Sequence, residues 1–120
     1  DLPGESDLAP VLEGLRRQAL RKVFARDQLI LLTHYPPDLP ELRDVFTLPP
    51  KHSNSWCYKG IREFAEEFKP AAIVFGHIHE WAGKYGYLII GGKRIIVLCP
   101  GPTGLTISFD QQSGEAMILT

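Results

Sequence analysis

Three histidines lie at the ends of two strand-like segments of the sequence. Residues 31–34 read Leu-Leu-Thr-His and residues 74–79 read Val-Phe-Gly-His-Ile-His, so His34, His77 and His79 follow apolar runs. In α/β sheets, reactive groups collect at the carboxyl ends of the strands. In an extended chain, His77 and His79 would also point the same way. Because imidazole suits Zn, Mn, Fe and Ni, the three side chains are candidate metal ligands.

Each histidine also has a simpler interpretation. A single histidine is more often structural or merely exposed than a ligand, and a His-x-His pair alone is weak evidence for a metal. Two such motifs at equivalent strand ends, with His34 and His77 43 residues apart, favour a site. A fourth histidine, His52, lies in a polar loop, where we expect it to help cap the following helix.

The elements that would position these histidines alternate between helix and strand. An apolar stripe predicts a helix over Leu8–Arg26, with Asp7 as its N-cap. Residues Gln28–Thr33 and Ala71–Phe75 are nearly continuous apolar runs, which is typical of strands that are buried on both faces. A second helix is predicted between them, over about Tyr58–Phe68.

The last third of the sequence predicts short strands joined by hairpin turns. Gly91-Gly92 and Gln112-Ser113-Gly114 are typical turn sequences. The predicted strands are, in order, Tyr85–Ile90, Arg94–Leu98, Leu105–Phe109 and Ala116–Leu119. The order of helix, strand, helix, strand and hairpins predicts an α/β chain with a mixed sheet and C-terminal β-hairpins.

The composition is that of a small globular chain. Its 120 residues suffice for one small domain, and 44% of them are hydrophobic and 22% charged. A net charge of −1 gives no strong signal for nucleic-acid binding, which needs a basic excess, and the apolar runs are too short to span a membrane. The two cysteines, Cys57 and Cys99, are expected to be reduced, as in a cytoplasmic protein.

The motifs taken together resemble a known family. Residues 31–37 (Leu-Leu-Thr-His-Tyr-Pro-Pro), 76–80 (Gly-His-Ile-His-Glu) and 100–102 (Pro-Gly-Pro) are similar, in type and order, to the second half of the calcineurin-like metallophosphoesterases. The resemblance covers roughly Gln28–Thr120 and is closest to the small Icc-like, cyclic-nucleotide-phosphodiesterase-like branch. It implies the second half of a four-layer α/β/β/α sandwich, in which residues 1–120 form the C-terminal part of a single domain.

This resemblance also implies a role for each histidine. His34 and His77 match ligands of the second metal in a two-metal site, and His79 matches a ligand of the first metal. The implied activity is hydrolysis of a phosphomonoester or phosphodiester substrate, by attack of a metal-bound hydroxide on phosphorus. Two divalent ions (Mn, Fe, Zn or Ni) would stabilise the developing charge. Cys99 stands where the family often has asparagine, and we expect this change to affect packing only.

The motifs of the family's first half do not occur in the sequence. It lacks D-x-H, G-D and G-N-H-[ED], and with them the carboxylates that neutralise two divalent ions. Because the only methionine is Met117, we expect the chain to be a piece of a longer protein and inactive by itself. A complementary N-terminal half, or self-association, would then cover Gln28–Thr33 and Ala71–Phe75, each of which would otherwise lack a partner on one edge.

Two other functions are open on this evidence. The chain would be a non-catalytic calcineurin-like scaffold or interaction module if it binds partners without metals. Alternatively, the three histidines would hold a single zinc ion with an open water position. The metal content separates these possibilities, because we expect two ions per completed phosphoesterase, none in a scaffold and one per chain in a zinc site.

Overall fold

Two helices and six strands make up the part of the chain that the computed structural model describes, residues 4–21, 29–47 and 57–119. The helices are α1 (Glu5–Arg21) and α2 (Lys59–Phe68). The strands are β1 (Ile30–Leu32), β2 (Ala72–Val74), β3 (Lys84–Ile90), β4 (Lys93–Cys99), β5 (Ile107–Asp110) and β6 (Glu115–Ile118). Short 3-10 helices occupy Pro40–Leu42 and His79–Trp81. His52 lies outside the described residues.

Four of the strands form one mixed sheet in the order β1-β2-β4-β3. β1 pairs with β2, and β2 with β4, in parallel, whereas β3 and β4 form an antiparallel hairpin. The hairpin turn is Gly91-Gly92, whose φ angles of 56° and 80° are rarely adopted by residues with a side chain. β5 and β6 form a second, antiparallel sheet. These findings confirm the predicted α/β chain with a mixed sheet and C-terminal β-hairpins.

The mixed sheet lies between a helical layer and the β5–β6 hairpin. One face packs against α2 through a cluster of buried apolar side chains that includes Leu31, Ile73, Val97 and Phe64. The other face packs against the hairpin through Ala72, Ile96, Leu98 and Ala116. Tyr87 adds a polar link on this second face, because its hydroxyl accepts a hydrogen bond from the backbone N of Ile118 at 3.0 Å. The three layers place the carboxyl ends of β1, β2 and β4 along one rim of the sheet.

Carboxylates organise the starts of both helices. α1 begins at Glu5, earlier than predicted, so Asp7 lies inside its first turn and is not the N-cap. There Oδ2 of Asp7 accepts a hydrogen bond from the backbone N of Gly4 at 2.8 Å, a position that the helix dipole also favours for an anion. Glu5 in turn accepts hydrogen bonds from the first backbone amides of α2. The predicted end of α1, Arg26, lies outside the described residues.

β1 differs from the prediction that it is buried on both faces. Leu31 is 5% exposed, but Ile30 is 51% and Leu32 is 75% exposed. β1 is the edge strand of the sheet, and the β5–β6 hairpin packs on β2 and β4. β2 lies between β1 and β4, and its residues Ala72 and Ile73 are fully buried. The prediction that Ala71–Phe75 lacks a partner strand on one edge is therefore wrong, because β2 pairs on both edges. Among the described strands, β1 pairs with a neighbour on one edge and leaves its other edge open.

The helices also bear on the membrane prediction. Within the described residues, no helix combines the length and the apolar content that crossing a membrane needs.

Candidate metal centre

The carboxyl ends of β1 and β2 bring two of the three histidines together. His34 follows β1 and His77 follows β2, and these parallel strands pair in register. The backbone N of Gly76 donates a hydrogen bond to the carbonyl O of His34 at 3.1 Å, which joins the two segments directly. The ring centroids of His34 and His77 lie 5.2 Å apart. The Tyr35 ring completes the group, with its centroid 4.7 Å from that of His34 and 5.0 Å from that of His77.

His77 has an unusual backbone conformation. Its φ is 74°, in the positive region that residues other than glycine adopt uncommonly. The backbone N of Ile78 donates to the carbonyl O of Gly76 at 2.9 Å, so His77 is the central residue of the rarer, strained form of γ-turn. Such strain costs about 1–3 kcal/mol and is concentrated at functional sites. The turn ends the extended segment at His77, so the extended backbone on which the expected common direction of His77 and His79 depended is not found.

Among the described residues, His79 does not form one metal-holding group with His34 and His77. It is exposed and begins the 3-10 helix His79–Trp81, whereas His77 is half-buried. Trp81 anchors this short helix, because its indole is 1% exposed and packs against two phenylalanine rings. Nε1 of Trp81 also donates a hydrogen bond to the carbonyl O of Thr47 at 2.8 Å. The position of the His79 backbone therefore depends on the packing of Trp81.

A cavity of 480 Å³ lies beside His77 and His79. Its wall contains the small residues Gly76, Ala82 and Gly101. Gly101 has a φ of 70°, and a Cβ at this position would lie 2.6 Å from the Cβ of Ala82, so both the backbone and the space require glycine. In the part of the chain that the structure describes, no lysine, arginine or carboxylate belongs to this wall.

Cys99 ends β4 at the wall of this cavity. Burial raises the pKa of its thiol, and a protonated thiol is neither a nucleophile nor a metal ligand. Cys57 is also free and buried, and burial raises the pKa of its thiol as well. Neither of these cysteines forms a disulfide in the structure, and Cys99 contributes packing to the cavity wall.

The described histidines fit part of a metal site. Two imidazoles on one tetrahedral ion, with metal–nitrogen distances of about 2.0–2.1 Å, have ring centroids roughly 5 Å apart. The 5.2 Å between His34 and His77 matches this separation. Within residues 4–21, 29–47 and 57–119, no group of three or more His, Cys, Asp or Glu side chains is placed to hold one ion. The three histidines are therefore not such a group in the described part of the chain, and an ion on the His34–His77 pair would need further ligands.

Comparison with known proteins identifies the family. The sequence model of the calcineurin-like phosphoesterases matches residues 5–81, which is more than half of the chain and includes both histidine motifs. The chain therefore belongs to the calcineurin-like phosphoesterase family, whose members typically bind divalent metals. The match begins in α1, earlier than the resemblance of the motifs suggested, and it ends before β3. No curated protein and no solved structure matches the chain.

Proposed function

We propose that the chain contributes His34, His77 and His79 to the two-metal centre of a phosphoester hydrolase. Family membership supports phosphoester hydrolysis, and the 5.2 Å separation of the His34 and His77 rings is the observation that carries the metal assignment. In this proposal His34 and His77 bind one ion and His79 binds its neighbour. That division is consistent with the lack of a three-ligand group among the described residues.

The remaining ligands of such a centre must include carboxylates. Two divalent ions about 3.5–4 Å apart repel each other strongly, and neutral imidazoles do not offset that repulsion. Among the described residues, no acidic side chain lines the cavity beside His77 or the cavity next to His34 and Tyr35. We therefore propose that residues outside the described ranges, on a complementary segment or chain, complete the centre, and that the 120-residue chain by itself is inactive.

The residues of this chain would act by holding the histidine ligands in position. When bound, the two ions would supply an acidified water and positive charge beside the phosphoryl oxygens. The hydrogen bond between Gly76 and His34 holds the two strand ends together, and the γ-turn sets the direction of the His77 side chain. The buried Trp81 indole fixes the helix that begins at His79. The cavity beside His77 has room for the ester group of a phosphomonoester or phosphodiester.

Neither alternative function has comparable support. A single zinc ion held by three histidines would require them to form one group, and His79 does not join the other two. A non-catalytic scaffold leaves the strained conformation of His77 without a purpose, since glycine or asparagine would adopt the same backbone at lower cost.

Zinc titration of histidine variants tests the ligand assignment. His34→Ala and His77→Ala are each expected to weaken Zn²⁺ binding by about tenfold or more, which corresponds to about 1.4 kcal/mol or more, because each removes one of two adjacent imidazoles. Isothermal titration calorimetry would measure the affinity, and circular dichroism would show that each variant is folded. The matched control is His52→Ala, which removes the fourth histidine of the chain. Equal zinc affinity in all three variants would contradict the assignment.

Hydrolysis of bis-p-nitrophenyl phosphate tests the need for further ligands. The pure chain with added Mn²⁺ or Zn²⁺ is expected to release p-nitrophenolate no faster than the same ions without protein, because the carboxylates are missing. The absorbance of p-nitrophenolate would give the rate. Turnover by the pure chain that His34→Ala abolishes would show instead that the 120 residues form a sufficient site.

A further inference from the structure

Tyr35 lies beside the histidine pair, and the proposed function gives it no role. Its ring centroid is 4.7 Å from that of His34 and 5.0 Å from that of His77, and the two histidine centroids are 5.2 Å apart. Because these distances are nearly equal, the three rings form a triangle. The interplanar angles of 79°, 63° and 65° are those of edge-to-face contacts, which aromatic rings favour. The Tyr35 ring therefore fills one side of the pair and leaves the other side for an ion.

The chain holds Tyr35 in place from both directions. Before it, Oγ1 of Thr33 donates a hydrogen bond to the carbonyl O of Tyr35 at 2.6 Å. After it, the carbonyl O of Pro36 accepts a hydrogen bond from the backbone N of Tyr58 at 3.0 Å. Tyr58 is 1% exposed, and its ring centroid is 5.4 Å from that of Tyr35. Tyr35 therefore connects the histidine pair to a buried residue at the start of α2.

The backbone contacts at the strand ends do not by themselves fix the direction of an imidazole. A histidine side chain still rotates about χ1 and χ2, and its χ2 angle has a broad distribution. His34 is exposed and His77 is half-buried, so the His34 ring in particular has freedom to lose when it binds an ion. A ring that contacts both imidazoles limits this rotation before binding and lowers the entropic cost.

We infer that Tyr35 is a positioning residue of the proposed metal centre, whose ring holds the imidazoles of His34 and His77 convergent on one ion. This inference rests on the proposed function, because it concerns the side chains that are proposed there as ligands. The contacts involve the aromatic ring, so the phenol hydroxyl is not needed for this role. A residue that only filled space would affect the stability of the fold and leave the direction of the imidazoles unchanged.

Zinc titration of tyrosine variants tests this role. Tyr35→Leu removes the ring but keeps an apolar side chain, and it is expected to weaken Zn²⁺ binding by about tenfold, as is typical when a residue that orients a metal ligand is lost. Tyr35→Phe keeps the ring and should bind zinc as the unmodified chain does. Isothermal titration calorimetry would measure the affinities, and circular dichroism would show that each variant is folded.

The matched control is Tyr85→Leu. Tyr85 is also a half-buried tyrosine, but it packs against the cluster on the other face of the mixed sheet, toward the β5–β6 hairpin. The same substitution there should leave the zinc affinity unchanged. An equal loss of affinity in Tyr35→Leu and Tyr85→Leu would overturn the inference, because a general loss of packing would then explain both.

Nuclear magnetic resonance without metal provides a second readout. In the unmodified chain, in Tyr35→Phe and in Tyr85→Leu, we expect a nuclear Overhauser contact between the ring protons of His34 and His77. In Tyr35→Leu this contact should weaken, because the imidazoles turn more freely. Loss of packing at a distant tyrosine would not change the contact, so the measurement separates positioning from stability.

The possible results distinguish this inference from the proposed function. Unchanged zinc affinity or an unchanged imidazole contact in Tyr35→Leu would overturn the inference and leave the histidine ligands standing. Equal weakening in Tyr35→Phe and Tyr35→Leu would overturn it as well, since the hydroxyl and not the ring would then be responsible. Equal zinc affinity of the unmodified chain and His34→Ala would overturn the proposed ligands and this inference together.

Discussion

Replacing Trp81 by alanine is expected to lower the free energy of unfolding by about 3–5 kcal/mol. The indole is fully buried, with its ring centroid 5.3 Å from that of Phe46 and 6.0 Å from that of Phe75. Alanine leaves a large cavity in this aromatic group and removes the hydrogen bond to the carbonyl O of Thr47. A loss of this size approaches the whole stability of a small domain, about 5 kcal/mol at the lower end. Urea unfolding followed by circular dichroism would measure it.

Trp81→Phe separates the two contributions of the indole. Phenylalanine keeps an aromatic ring against Phe46 and Phe75 but lacks the Nε1 donor, so its effect should be clearly smaller than that of alanine. A loss below about 1 kcal/mol for Trp81→Ala would contradict the role of this residue as an anchor. It would also remove the physical reason for the position of the helix that begins at His79.

Changing His77 to glycine is expected to separate stability from metal binding. Glycine adopts a φ of 74° without steric cost, whereas alanine retains the strain that the histidine has. After allowing for the greater freedom of glycine in the unfolded chain, His77→Gly should be about 1 kcal/mol more stable than His77→Ala. Both variants lose the imidazole, so zinc binding should be weakened in both to the same extent. Urea unfolding and zinc titration of the two variants would provide the comparison.

The glycine–alanine pair is informative because the two side chains differ by one methyl group. Equal stability of the two variants would show that the backbone at position 77 is relaxed. A zinc affinity that survives in both variants would show that the imidazole of His77 is not a ligand, whatever the backbone conformation.

Much of the architecture follows from local sequence. The glycine pair at 91–92 is suited to a two-residue hairpin turn, and the strands on either side of it are where the pattern predicts them. The run that contains β2 is apolar throughout and is buried on both faces, as its composition indicates. The histidines at positions 34 and 77 meet because the strands that precede them are parallel neighbours. For these strands and for the His34–His77 pair, the structure has the arrangement that the sequence pattern and the strand order predict.

Other features depend on contacts that local sequence does not describe. The run Gln28–Thr33 is as apolar as the run that contains β2, but its strand lies at the edge of the sheet and exposes Ile30 and Leu32. Hydrophobicity alone does not distinguish a central strand from an edge strand. The turn after β2 is similar, because Gly76 is the residue with conformational freedom, yet the positive φ belongs to His77. Gly76 instead donates a hydrogen bond to His34, a contact between distant parts of the chain that local sequence does not describe.

The hydrogen bond between Gly76 and His34 has a thermodynamic consequence for any ion that the histidine pair binds. Ordering the backbone of one free residue costs about 1–2 kcal/mol of conformational entropy. Two ligands on flexible loops would lose that freedom at the moment of binding, and their affinity would fall accordingly. Here the two strand ends are already joined at 3.1 Å, and the loss occurs once, when the sheet folds. The backbone of the pair is therefore preorganised, and the folding of the parallel strands would contribute indirectly to the affinity for such an ion.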